Sequence, residues 1–204
     1  MYICLMAKNG SRERNELFPV FFKLSQVRVL IIGGGYVGRE KLQAIISNSP
    51  SAVITLVATQ ISAEIKSLAK QHGSITLIEK PYKISDFDNI DLAIVAINDS
   101  VLSSQIAFDA KKRSILINVA DKPYLCDFYL GSIVQKGNLK IAISTNGKSP
   151  TIAKRIKEVL NETLPGEMDN LLDNMQSIRN KIGGDFTEKV KKLNEITKNL
   201  SQKQ

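Results

Sequence analysis

The chain contains one histidine and two cysteines in 204 residues. That scarcity removes several classes of chemistry. Cys4 and Cys126 lie far apart with no CxxC spacing, which suggests reduced thiols more than a disulfide scaffold. A preformed metal centre needs clustered His, Cys or carboxylate ligands, and no such spacing is present; no metal-ligating residues are assigned. There is no GxSxG, no Cys–His pair and no P-loop. No run approaches the ~20 apolar residues that a membrane helix requires. The opening "MYICLM" is too short for a secretory core and lacks a small-residue cleavage pattern, so a cytoplasmic location is expected. No block of five like charges occurs and no nucleic-acid motif is seen, so neither nucleic acid nor membrane is an expected partner.

Hydrophobic content of 43% and charged content of 24% describe a globular chain. The net charge is +8, of which +6 falls on residues 1–150. Either this is a solvated basic surface or it is a field that attracts an anionic small molecule; composition leaves both open.

From Val27 onward, continuous apolar runs alternate with stretches of helical periodicity. The runs are 27–33, 52–58, 74–79, 91–97 and 114–120, and the helical stretches are 39–49, 61–72 and 99–113. Apolar runs without alternation are strands covered on both faces. Strand and helix at this pitch predict an α/β fold with a Rossmann-type doubly wound parallel sheet of about five strands. After Asp121 the rhythm changes. Residues 131–145 read as a β-hairpin turning around Lys136-Gly137-Asn138. Ser149 and Pro150 suit the N-cap and first position of a helix over 149–164, ended by Pro165-Gly166. Two more amphipathic helices follow, split at Gly183-Gly184. The expected division is residues 1–120 for the nucleotide-binding domain, 121–148 for the hairpin and 149–204 for a small helical domain.

"IIGGGYVGREK" places Gly33, Gly35 and Gly38 in a GxGxxG pattern between a strand and a helix, the context its mechanics require. Gly33 permits the tight turn, Gly35 admits a pyrophosphate to the backbone, and Gly38 permits close helix–strand packing. The loop Gly33, Gly34, Gly35, Tyr36, Val37 and Gly38 is therefore the expected dinucleotide site. The acidic ribose ligand usual at the end of the second strand is missing; Ala58, Thr59 and Gln60 stand there, with no arginine for a 2′-phosphate. Thr59 or Gln60 as neutral ribose partners leans towards NAD. Asn98 ends the fourth strand and is expected to line the cofactor cleft, while Asp99 reads first as a helix cap. His72, near a helix end, reads as a surface residue. Acid–base candidates thus reduce to carboxylates. Asp121 ends a core strand on the carboxyl edge, and locally it reads either as a turn former in "DKP" or as a delivered catalytic group. "STNGKSP" (144–150) reads equally as an anion-binding loop or as a capped turn.

Three stretches carry a resemblance: "LFPVFFKLSQVRVLIIGGGYVGREK" (17–41), "NVADKPYLCDFYLGSIV" (118–134) and "KIAISTNGKSPTIAKRIKEVL" (140–160). In this order and spacing the chain resembles the precorrin-2 dehydrogenase/sirohydrochlorin ferrochelatase family, also found as the N-terminal module of sirohaem synthase. The resemblance covers about residues 15–165. It implies NAD as cofactor, a hairpin that dimerises the chain, and an intertwined homodimer. The implied reaction moves a hydride from precorrin-2 to NAD+ with loss of a proton, giving sirohydrochlorin. In bifunctional members Fe2+ then enters the macrocycle as a second substrate. The family's key aspartate falls on Asp121, and its substrate-side stretch on Ser144, Thr145, Asn146, Gly147, Lys148 and Ser149. Thr145 and Asn146 depart from the Ser or Gly often found there. The tetrapyrrole is a polycarboxylate, which would give the basic balance of residues 1–150 a motive. A fused methyltransferase would add roughly 200 residues, so methylation is expected from another protein. The rival reading is a non-catalytic NAD(H)-sensing module of an ion-transport regulator; such modules normally carry the acidic ribose ligand and lack the "ISTNGKSP" stretch.

Overall fold

The computed structural model describes residues 15–198; Cys4 and the ends of the first and last expected domains lie outside them. The chain divides into two compact units, one of them Phe18–Leu130 and the other running from Gly131 onward.

In the first unit the order is β1 (Arg28–Ile32), α1 (Tyr36–Asn48), β2 (Val53–Ala58), α2 (Ala63–Gln71), β3 (Ile75–Glu79), β4 (Leu92–Val95), α3 (Ser100–Lys112) and β5 (Leu116–Val119). The strands form one five-stranded sheet in the order β3-β2-β1-β4-β5, with every pairing parallel. This is the doubly wound sheet expected from the apolar runs. Alternate residues of β1, β2 and β4 enter different cores. Val29 and Ile31 join Leu42, Ile45 and Ile65 beneath α1 and α2. Leu30 and Ile32 join Phe87, Ile106 and Ala110 on the α3 side. The central strands are covered on both faces, so their sequences are mostly apolar and the runs read as nearly unbroken.

The β3–β4 crossover is not a long helix but a short 3-10 turn, Ile84–Phe87. Three ties hold it to α3: Phe87 in the core, Arg113 to Asp88 at 2.6 Å, and the Tyr82 hydroxyl donating to the Asp109 carboxylate at 3.1 Å.

The second unit has β6 (Ser132–Lys136) and β7 (Leu139–Ile143) as an antiparallel hairpin. Gly137 at the turn has φ +57°, and the Asn138 N–H donates to Asp169 at 2.6 Å. Helices α4 (Pro150–Thr163), α5 (Met168–Lys181) and α6 (Phe186–Thr197) follow. Ser149 caps α4, accepting the Ile152 N–H at 3.2 Å, and Pro150 opens it. Among the described residues of this unit only Val134 and Ala153 are buried.

Candidate dinucleotide cleft and catalytic edge

The glycine corner is built by close packing. Gly33 follows β1 with φ +129°, and a Cβ there would lie 2.3 Å from the Ala96 carbonyl oxygen. Its N–H donates to the Val57 carbonyl at 3.0 Å, so the turn is locked to β2. A Cβ on Gly34 would meet the Gln60 carbonyl oxygen at 2.1 Å, and one on Gly38 would meet the Gly33 carbonyl oxygen at 2.1 Å. Three glycines are thus required by the chain's own contacts. Gly35 is not. Its φ of −93° suits any residue, and a Cβ on it would point into open space.

What lies at that open position is the start of α1. Gly35 is its N-cap with no side-chain cap, and the first turn contains no acid. The first helical N–H with a backbone partner is that of Arg39, which donates to the Gly35 carbonyl. The N–H groups of Tyr36, Val37 and Gly38 are left open, with the positive end of the helix dipole behind them. Such a corner fits a pyrophosphate. The Arg39 guanidinium lies 5.3 Å from the centre of the Tyr36 ring beside it.

A cleft of about 520 Å³ extends from this corner along the carboxyl ends of β1, β2 and β4. Thr59, Gln60 and Asn98 line it, together with Tyr82 and Leu102. Asp99 turns away and caps α3, accepting the Leu102 N–H at 2.9 Å. The acid nearest the vacant ribose-ligand position is Glu79 on β3, paired in register with Ala58. It is already engaged: its carboxylate accepts the Lys66 ammonium at 2.9 Å and the Ile61 N–H at 3.3 Å. Those bonds, Lys66 first, hold its carboxyl below the usual range. His72 caps the C-terminus of α2, which leads into the start of β3, so it sits at the opposite edge of the sheet. Among the described residues no group of three or more His, Cys, Asp or Glu could hold a metal ion.

Asp121 lies on the same carboxyl edge, at the end of β5. Ala120 still donates to the Val95 carbonyl at 2.9 Å. Asp121 then turns left-handed, with φ +59°, and the Lys122 N–H closes the turn on the Val119 carbonyl at 3.2 Å. The carboxylate is exposed and has no hydrogen bond or ion pair among the described residues. β4 stands between β5 and β1, so the step from the glycine strand is two strand spacings, about 10 Å.

The loop 144–149 belongs to the second unit. Thr145 Oγ1 donates to the Ser149 carbonyl at 3.1 Å and accepts the Ser149 N–H at 3.2 Å. Ser144 Oγ accepts the Asn146 N–H at 3.2 Å. Asn146 and Gly147 are successive left-handed residues, φ +53° and +73°. The hydroxyls of Ser144 and Thr145 thus help close the loop while that of Ser149 caps α4, and Asn146, Gly147 and Lys148 form its tip.

Sequence reasoning did not find Tyr82, Leu102 or the neighbours of the Asp121 turn. Tyr82 sits in the crossover, where no periodicity marks it; it lines the cleft, and its hydroxyl donates to Asp109.

Comparison with known proteins gives a consistent picture. A family described as "Putative NAD(P)-binding" matches residues 20–132, and one described as "Sirohaem biosynthesis protein central" matches residues 136–162. The chain is 36% identical over 174 residues to a siroheme synthase of Psychrobacter sp. (strain PRwf-1), covering 85% of this chain and 34% of that protein. It is 33% identical over 156 residues to the siroheme synthase of Pseudomonas fluorescens (strain SBW25), covering 76% of this chain and 33% of the relative. The chain thus spans about a third of the length of these curated relatives. Among solved structures it superposes on SirC, precorrin-2 dehydrogenase, with a TM-score of 0.71 and 27% identity, covering 91% of this chain and 93% of that one.

Proposed function

The chain belongs to the precorrin-2 dehydrogenase/sirohydrochlorin ferrochelatase family, and we propose that it catalyses the NAD-dependent dehydrogenation of precorrin-2 to sirohydrochlorin. In the balanced reaction precorrin-2 gives up a hydride and a proton, and NADH, a proton and sirohydrochlorin result. NAD+, when bound, supplies the hydride acceptor.

The residues divide the work along the carboxyl edge. Gly33 to Gly38 receive the pyrophosphate on open N–H groups. Thr59 and Gln60 meet the adenosine ribose as neutral partners, since the selector position lies at the end of β2. The other nucleotide then extends towards β4 and β5, past Asn98 and towards Asp121. The observation that carries the reading is this placement: an unpartnered carboxylate on the half of the edge where the reacting ring must lie. Asp121 there accepts the proton that leaves the macrocycle. The basic balance of residues 1–150 favours a polycarboxylate substrate, and the 144–149 loop, with Lys148 at its tip, supplies contacts to it. Fe2+ enters this reading only as a substrate of a following step, carried mainly by the macrocycle nitrogens.

A homodimer joined through the hairpin region belongs to the same proposal. A two-stranded sheet is marginal by itself, and α4 exposes Ile152, Ile156 and Val159. The same reading places the protein in the cytoplasm. Among the described residues no helix is long and apolar enough to cross a membrane.

The test is anaerobic incubation with precorrin-2 and NAD+, following NADH and sirohydrochlorin absorbance, then addition of Fe2+. NADH formation is expected, and Asp121→Ala should lower it roughly 10² to 10⁴-fold. Retained NAD binding with no NADH formed would replace the enzyme by a sensing module. Metallation in the second arm, above the rate without protein, would add the ferrochelatase activity.

A further inference from the structure

We propose that Cys126 and Asp127 are positioning residues for Asp121, a role that rests on the catalytic reading of Asp121 given above. The need for them follows from the carboxylate's isolation. With no side-chain partner among the described residues, Asp121 is aimed by its backbone, and that backbone is left-handed at φ +59°. Such a conformation is disfavoured for a residue with a Cβ and persists where the surroundings fix it.

The surroundings are the segment that folds back along β5 after the turn. The Cys126 sulfur accepts the Val119 N–H at 3.2 Å and lies 3.3 Å from the Val119 carbonyl oxygen and 3.4 Å from the Lys122 carbonyl oxygen. One side chain therefore grips the backbone on both sides of Asp121. Its single S–H serves one of the two carbonyls while its lone pairs receive the amide. Burial pushes this thiol's pKa up, which keeps the proton needed for that contact. Asp127 secures the next residue pair: its carboxylate accepts the Ile117 N–H at 3.0 Å, and its own N–H donates to the Ile117 carbonyl at 2.8 Å. Asn118 completes the seam, donating to the Phe128 carbonyl at 2.9 Å. The turn is thus fixed from the strand side by side chains five and six residues beyond the aspartate. A misplacement near 1 Å at a reacting group costs up to about 10²-fold in rate, so a clamp of this kind acts on turnover without touching the substrate.

The experiment compares Cys126→Ala, Cys126→Ser and Asp127→Asn, each alone and in an Asp121→Asn background. Readouts are the turnover of precorrin-2, NAD affinity by calorimetry, and the pH–rate profile. The expected result for Cys126→Ala is a loss in kcat of roughly tenfold or more, NAD affinity within about twofold of wild type, and partial recovery in Cys126→Ser. In the Asp121→Asn background the same change should cost nothing further, because the group being aimed is gone. Equal losses in both backgrounds, or a loss of NAD affinity in step with kcat, would show a general structural role and overturn the proposal. So would wild-type turnover of Cys126→Ala while Asp121→Asn is inactive. Wild-type turnover of Asp121→Asn would instead remove the catalytic reading of Asp121 itself. Should Cys126→Ala fail to fold, the smaller changes to Ser and Asn give the same cycle.

Discussion

In Phe18–Leu130 apolar side chains pack on both faces of a five-stranded sheet, whereas among the described residues from Gly131 onward only Val134 and Ala153 are buried. The second unit is not short of apolar residues: Ile152, Ile156, Val159, Leu172, Phe186 and Val190 are all exposed. Each buried aliphatic side chain contributes about 1.5–3 kcal/mol, so the sheet unit carries its stability within itself. The hairpin and helices, as described, draw little from such burial. One chain therefore combines a sheet with apolar side chains packed on both faces and a unit whose apolar side chains are largely exposed.

The largest effect should come from the corner that closes the sheet unit. Gly33→Val sets a branched side chain against the Ala96 carbonyl at φ +129°. It should cost about 3 kcal/mol or more, seen as a lower urea midpoint; an unchanged midpoint would break the account of that unit. Next, Ile152→Asp with Ile156→Asp adds charge to the exposed face of α4. The sheet unit should keep its midpoint while the dissociation constant of the proposed dimer, measured by analytical ultracentrifugation, rises roughly 100-fold; a dimer unmoved by both would place the association elsewhere, and no dimer at all would remove that part of the proposal. Third, Gly35→Asp should leave stability within about 0.5 kcal/mol but weaken NAD roughly tenfold or more, because its side chain enters the open position and brings negative charge to the helix start. The smallest effect concerns Tyr82. Burial first, and then the negative charge of Asp109, raise its pKa above the ordinary 10. Protons held by the native state beyond that point mean stability that is whole below pH 10 and declines as pH rises above it. In Tyr82→Phe that decline should be shallower, as read from urea midpoints between pH 9 and 11.

The sheet was legible because its strands are covered on both faces. The expected runs contain the observed strands to within two residues at each end, as with 27–33 against Arg28–Ile32. The glycine corner was legible for a similar reason, its spacing reflecting contacts made within a few residues and one neighbouring strand. The β3–β4 crossover was not: Tyr82 is held by Asp109, 27 residues away in sequence, and no local pattern announces such a pair. The Asp121 turn was half legible. "DKP" signals a turn, but its left-handed centre and the back-folded Cys126 and Asp127 depend on tertiary geometry.

The seam along β5 has one more consequence. β5 ends the sheet, and a bare edge strand offers its amides and carbonyls to any extended chain that passes, the usual start of edge-to-edge aggregation. Here the outward-facing groups of Ile117 and Val119 are occupied by Asp127 and Cys126. Side chains in place of a sixth strand leave no template to extend, so the sheet stops at β5.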